Sequence, residues 1–526
     1  MTARSRLFLG LALALAALPA CGRDTGGGGA GKTFVYARGK DSPTADPALA
    51  TDGESALLIT NVFDTLVRFK YGGFDVEPAL ATSWTEASDH RTLTFKLREK
   101  LLFHDGAPCD AAAVALSFER QRDEGHRFHF TKGRYPYWGD MFGSVSKTVA
   151  VDVSTVRFDF SEPMPPFFLQ LLAMFSSSIV SPKALEQGET YVQRHPVGTG
   201  PFRFVSWATA QEIVLEANPD WYGGKPKIDR LILKVKQEPH DAYLALESGQ
   251  VQGIDNVAAR DVARARANPA LLLHSSPKRL SICYLSMNNE VAPFTDVRVR
   301  RAVALAVDKA RIVHAAYEDI AAPVSTLIPP DMDTTLDLPD RKRDVVEAKR
   351  LLAEAGASGA KVRLHFPGNP RPYMPDPNTL ATQIKEDLRE VGLDVELRKE
   401  EWSPHLTLMQ NGDHQLGLLG WSPDIADPDN YIYVLLDKEG AVKGSANNVS
   451  FYRSEAFHER VAAARRSYDP SERHRLYLEA QKIAFDDVPL VPLIAMPRTA
   501  ATTAKAKGFL IDPISSPRFA WTSLAD

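Results

Sequence analysis

Two periodicities take turns along this chain. Between 92 and 97, Leu93, Phe95 and Leu97 alternate with Thr92, Thr94 and Lys96. Period two predicts a strand with one buried face, and Val156, Phe158 and Phe160 repeat the pattern. Further strands are predicted at 33–37, 202–207, 213–217, 229–235, 361–366, 393–397 and 488–494, and at 416–419, a short apolar run with no place for a charge. Helical spacing predicts helices over 55–63, 111–122 with Asp110 as N-cap, 167–175, 241–247, 343–355, 378–391 and 471–485. One long helix is expected over 296–317, where Val299, Val303, Ala306 and Ala310 share a face. Gly249, Gly356 and Gly392 stand where helices would stop. The strand, helix and strand over 361–397 form a βαβ unit, which predicts parallel strands with a right-handed crossover. The fold class is therefore α/β, in two lobes, and ligands of such folds sit in crevices between domains.

The ends and the charge narrow the field. The chain has 526 residues and a net charge of −4, with 44% hydrophobic and 24% charged residues. That length suggests two to four domains, and the balance argues against nucleic acid as a partner. At the N-terminus, Arg4 and Arg6 precede an apolar run over 7–18 and then Pro19-Ala20-Cys21. This is the layout of a signal segment. Leu18-Pro19-Ala20-Cys21 resembles the lipobox of bacterial lipoproteins, whose Cys thiol is diacylated and becomes the new N-terminus. Residues 1–20 then form a lipoprotein signal peptide and 21–32 a glycine-rich tether. The competing reading is a plain secreted protein in which Cys21 is incidental. After the N-terminus no run approaches the roughly 20 apolar residues that span a bilayer. Cys109 and Cys283 lie in apolar surroundings, as a pair or as two buried thiols, without metal spacing.

Two loops carry candidate chemistry. After the 416–419 run comes Gly420-Trp421-Ser422-Pro423-Asp424-Ile425-Ala426-Asp427-Pro428-Asp429-Asn430. Prolines stiffen this loop beside Asp424 and Asp427, and Trp421 can wall a carboxylate from water. Such a carboxylate suits a cationic ligand group, although a solvated turn uses the same residue types. The second loop, 366–378, holds Arg371 between Pro370 and Pro372, with Tyr373 nearby. Guanidinium grips a carboxylate through two parallel hydrogen bonds, although an Arg in a proline-rich loop is commonly a surface residue. Gly198 and Gly200 lack the third glycine, the helix and the lysine of a phosphate loop. Neither a nucleophile–base motif nor a metalloprotease motif is present, so an enzyme is not expected. His126 and His129 are the one faint metal candidate; no metal and no cofactor are assigned.

At Val62-Phe63-Asp64-Thr65-Leu66-Val67, Glu77-Pro78-Ala79-Leu80-Ala81-Thr82-Ser83-Trp84, Phe103-His104-Asp105-Gly106 and Gly198-Thr199-Gly200-Pro201-Phe202, the chain resembles the peptide-binding proteins of bacterial ABC importers, solute-binding protein family 5. Asn288-Asn289, Pro293-Phe294-Thr295-Asp296-Val297-Arg298 and the Gly420 loop match as well. The dipeptide-binding type is the nearest pattern. The resemblance implies a periplasmic-binding-protein-like fold with a discontinuous first lobe, carrying an extra subdomain, over 33–276 and 496–526. The second lobe would cover 277–495. It further implies that Asp424 pairs with a peptide α-amino group and Arg371 with its α-carboxylate. Trp421, Tyr373 and Gly420 would line the site, and Asp427 or Asp429 would compete for the amine. Implied partners are a short peptide, an ABC permease in the inner membrane and the membrane itself through the lipid on Cys21. A periplasmic, lipid-anchored monomer is expected.

The chemistry can be argued without the family. An extended dipeptide is a zwitterion whose charges lie roughly 5–7 Å apart. A carboxylate and a guanidinium fixed at that span measure length and leave side chains loosely read, while the peptide backbone pairs as an added strand. Two alternatives stay open: a member of the same family that binds an opine, a sugar, a metal chelate or haem, and a lipoprotein that senses peptides for a receptor.

Overall fold

The computed structural model describes residues 31–525, apart from 134, 333, 336, 337, 339 and 340. The signal segment and Cys21 lie outside the described residues. Among those residues two large sheets dominate. The first has seven strands, in the order Leu271–Ser275, Thr499–Thr503, Gly253–Asp255, Thr33–Arg38, Arg230–Val235, Glu212–Ala217 and Phe202–Ala208. The second has six, in the order Ala322–Pro323, Leu490–Met496, Ser281–Met287, Leu416–Trp421, Lys361–Pro367 and Asp394–Glu400. A four-stranded antiparallel sheet joins Ala81–Glu86, Thr92–Leu97, Thr155–Phe160 and Val145–Asp152. The chain passes from the first sheet to the second between Ser275 and Ser281 and returns between Met496 and Thr499. None of the described helices is long and apolar enough to cross a membrane.

The local signals act where they are strongest. Asp110 caps Ala111–Arg122 by accepting from the Ala113 N–H at 3.0 Å. Asp344 and Asp376 do the same for Val345–Glu354 and Pro377–Glu390, and each such cap is worth about 1 kcal/mol. Lys361–Pro367 pairs in parallel with Asp394–Glu400 across the intervening helix, as the βαβ pattern requires. Gly198 is needed for close approach: a Cβ there would lie 2.2 Å from the Val62 carbonyl oxygen. The Gly198-Thr199-Gly200 loop thus packs on the end of the Gly53–Val62 helix instead of cradling a phosphate.

Two expected helices differ. The run expected over 296–317 is two helices, Val297–Ala306 and Lys309–Tyr317, because Asp308 turns outward and caps the second through the Arg311 N–H. The apolar stretch over 167–175 holds only the single turn Phe168–Leu171, followed by a 3-10 turn at Phe175–Ser177. Phe168 and Leu171 are buried while Leu169 and Gln170 are half-buried, so only one turn's worth of helical spacing is realised. Cys109 and Cys283 are both free, buried thiols.

Candidate ligand-binding cleft

The edge of the six-stranded sheet sets the site. Leu416–Trp421 and Lys361–Pro367 run parallel, and both Leu416–Trp421 and Leu490–Met496 run antiparallel to Ser281–Met287. Three strands therefore end on the same edge. Arg371 follows the first of them in sequence, Asp424 the second and Arg498 the third. Crevices outside the carboxyl ends of strands are where open α/β sheets bind ligands. All three residues line one cavity of about 930 Å³. Asp52, Thr65, Phe175 and Arg518 line it too, from segments that belong with the seven-stranded sheet.

Asp424 is positioned from both sides of this cavity. Its Oδ1 accepts from the Tyr137 hydroxyl at 3.0 Å, and its backbone N–H donates to Asn430 Oδ1 at 3.0 Å. The same Asn430 oxygen accepts from Trp421 Nε1 at 3.0 Å, so one amide pins both ends of the turn. No cation among the described residues faces the carboxyl, and burial pushes its pKa up to about 6 against the pull of Tyr137 and Asn430. It is a half-buried carboxyl on the cavity wall without a counter-charge.

Arg371 is the complementary case. Its guanidinium stacks on the Trp402 ring at 3.9 Å, and its Nε is buried without an acceptor. Backbone bonds between Arg371 and Met374 close the loop that carries it. Tyr373 is buried behind it, its hydroxyl pushed up to about 12 by burial and pulled back by Arg371. Burial and the neighbouring Asp52 raise the pKa of Glu54, and Arg371 pulls it back in smaller measure, although no ion pair joins the two within 4 Å.

Gly420 sits where a side chain cannot. A Cβ would lie 2.2 Å from Tyr373 Cδ2 and 2.3 Å from the Ile282 carbonyl oxygen. Gly420→Ala is therefore expected to lower the Tm, because the backbone oxygen cannot yield and overpacking costs about 1–3 kcal/mol. An unchanged Tm in a thermal melt would show that the strand shifts freely.

The structure separates the acidic residues of the loop. Asp427, expected as a competitor for the ligand amine, makes a bidentate pair with Arg473 at 2.7 Å to each oxygen and caps the Asp429 N–H. It lies outside the cavity lining. Asp429 lines the cavity but pairs with Arg465 at 3.0 Å, and burial raises its pKa to about 7. Of the three carboxylates only Asp424 lacks a cation. Tyr137, Asn430 and Trp402 had no role in the sequence reading. The aromatic run Tyr135-Pro136-Tyr137-Trp138 was the available signal, but Tyr135 and Trp138 pack into the core and, of the three aromatics, only Tyr137, on the short helix Pro136–Met141, reaches the cavity.

Metal chemistry finds little support in these side chains. His129 bonds the carbonyls of Arg120 and Gly133, and His126 accepts from the Phe128 N–H. Asp437, Glu439 and His458 bring ligand atoms within 4.8 Å of one another. Yet Asp437 is bonded to His458 at 3.0 Å and Glu439 accepts from Tyr433 at 2.8 Å. These ligand atoms are therefore already engaged in hydrogen bonds with one another or with Tyr433.

With the geometry described, comparison with known proteins settles the family. The model of bacterial extracellular solute-binding proteins, family 5, matches residues 75–443. The chain belongs to this family. Family 5 is a family of binding proteins, not of enzymes, and it acts outside the cytoplasm. A family 5 relative from Escherichia coli, named a dipeptide-binding protein, is 30% identical over 93% of this chain and 94% of its own length. Another from Haemophilus influenzae, named heme-binding protein A, is 31% identical over 93% of this chain and 91% of its own. Among solved structures, the periplasmic binding protein DppA from Helicobacter pylori, in complex with peptide STSA, aligns with a TM-score of 0.84. It is 33% identical and covers 94% of this chain and 98% of its own. The fold of this chain is that of the two-lobed family 5 proteins.

Proposed function

We propose that this protein captures short peptides, dipeptides foremost, and hands them to an ABC permease for uptake. The observation that carries the reading is a pair of opposite charges at one sheet edge. Asp424 and Arg371 follow neighbouring strands, about 4.8 Å apart, line one cavity, and have no ion-pair partner among the described residues. Both charges are half-buried on the cavity wall; closing the cleft over them unpaired would be costly, and a zwitterion of matching length supplies both missing partners. Trp421, Tyr373 and Gly420 complete the wall. The relatives named for dipeptides and the neighbour holding a peptide support the same reading. The two lobes would comprise 33–276 with 496–526 and 277–495, closing on the ligand as periplasmic binding proteins do. Cys21 would carry the lipid that tethers a monomer to the membrane.

Calorimetric titration of the ligand-free protein tests the function. A free dipeptide should bind tightly, whereas its N-acetylated and C-amidated forms and a tetrapeptide should bind at least about thirtyfold more weakly. Equal affinity for the blocked forms would remove the two anchors. Binding of no peptide would overturn the reading and leave another solute of this family.

A further inference from the structure

A third charge in the cleft has no assigned partner. Arg518 lines the cavity from the segment that closes the chain. Asn61, buried in the Gly53–Val62 helix, grips the backbone on both sides of it. Its Nδ2 donates to the Pro517 carbonyl at 2.9 Å and its Oδ1 accepts from the Phe519 N–H at 3.0 Å. Phe519 is locked in the core against Phe34 and Tyr36. The residue is thus held as a binding group must be, on a backbone with no freedom.

Its guanidinium is not used by the fold. Arg518 makes no hydrogen bond or ion pair within 4 Å among the described residues, and burial works against its charge. The nearest acidic groups are occupied. Asp64 already accepts from Thr199, Trp221 and Tyr222, and Asp512 accepts from the backbone of Gly72, Ile514 and Ser515. Arg68, close enough to repel it, is paired with Glu77. Asp64 favours the Arg518 charge from beyond ion-pair distance and Arg68 opposes it, so a half-buried guanidinium with no carboxylate in contact can take an anion from outside.

The sheet edge says which part of a ligand that anion belongs to. Arg498 bonds the carbonyls of Ile514 and Ser515, which fixes the segment leading to Arg518 at the end of Leu490–Met496. That strand and the one leading to Asp424 lie on either side of Ser281–Met287, and Arg371 follows the strand beyond Asp424. Along this edge Arg371 follows the strand next to Asp424's, and Arg498 a strand two spacings away, about 10 Å, with Arg518 three residues past the Ser515 that Arg498 holds. An arginine stem and an acidic side chain together close that gap.

We propose that Arg518 forms a second anion site in the cleft, which accepts the side-chain carboxylate of an acidic residue at the first position of a bound peptide, with Arg498 holding the segment in place. This rests on the peptide reading above, with Asp424 at the amine and Arg371 at the α-carboxylate. Titration of the ligand-free protein with Glu-Ala, Ala-Glu and Ala-Ala tests it. Glu-Ala should bind about ten- to a hundredfold more tightly than Ala-Ala, the worth of one charge-assisted hydrogen-bonded pair. Arg518→Gln should bring that ratio close to one. Equal affinities of the wild-type protein for Glu-Ala and Ala-Ala would overturn the acidic subsite while leaving peptide binding intact. A preference for Ala-Glu alone would overturn the assignment to the first residue. Failure of all three to bind would overturn the peptide reading and this inference together.

Discussion

Asp424→Asn is expected to weaken binding of an unblocked dipeptide by about thirtyfold to a few thousandfold, the loss of about 2–5 kcal/mol that follows when one partner of a buried charge pair is removed. The substitution is close to isosteric. The amide oxygen can still accept from Tyr137, and the backbone bond to Asn430 does not involve the side chain. The fold should stand, and the lost energy is that of a ligand ammonium left dry and unpaired. An N-acetylated dipeptide, which has no ammonium, should lose little between wild type and variant. A parallel loss for both ligands would mean that Asp424 shapes the cleft without meeting the amine.

The same carboxyl gives the binding a pH dependence whose sign is fixed. In the free protein its pKa stands at about 6, and an ammonium beside it lowers that value in the complex. Above pH 6 the free site is already ionised and affinity is full. Below it, a proton must leave before the amine can pair, so affinity falls by up to about tenfold per pH unit. The variant has no such proton. Any slope that survives in Asp424→Asn belongs to another group, and Asp429, raised to about 7 on the Arg465 side, is the first to consider.

Arg371→Gln should bring a loss of similar size, with the opposite dependence on ligand chemistry. The free dipeptide should weaken by about 2–5 kcal/mol, whereas a C-amidated dipeptide should bind wild type and variant nearly alike. Arg371→Lys should not restore the affinity. The guanidinium carbon lies over the Trp402 ring, 3.9 Å from its centroid, and an ammonium on a flexible stem neither stacks on a ring as a planar fork can nor meets a carboxylate at two points. Full rescue by lysine would show that Arg371 contributes charge only, as one part of a diffuse positive field.

Much of this was legible in the sequence because the signals were local. The cap at Asp110, the period-two run at 92–97 and the glycine stops each need only a few neighbouring residues; the caps at Asp344 and Asp376 were equally local but were not read from the sequence. The two loops could be singled out because a proline-stiffened loop after a core strand is a local pattern as well. What the sequence could not separate were the carboxylates within one loop. Asp427 is spent on Arg473, 46 residues away, and Asp424 is oriented by Tyr137, 287 residues away. A carboxylate's availability depends on who else is near it, and that is settled by packing. The break at Asp308 shows the reverse case: apolar spacing ran on across 296–317, but one outward-turned Asp, a single-residue signal, outweighed it.

The two short connections between the sheets also touch each other. The Ser276 N–H donates to the Arg498 carbonyl at 2.9 Å, and the Arg498 N–H donates to Ser276 Oγ at 3.0 Å. Bonded to each other in this way, they form a ribbon and not two independent strings. Two connections tied at one point would move together, so opening and closing of the lobes is expected to pivot about the Ser276–Arg498 contact. One pair of labels, one on each side, would then follow ligand capture as a single distance.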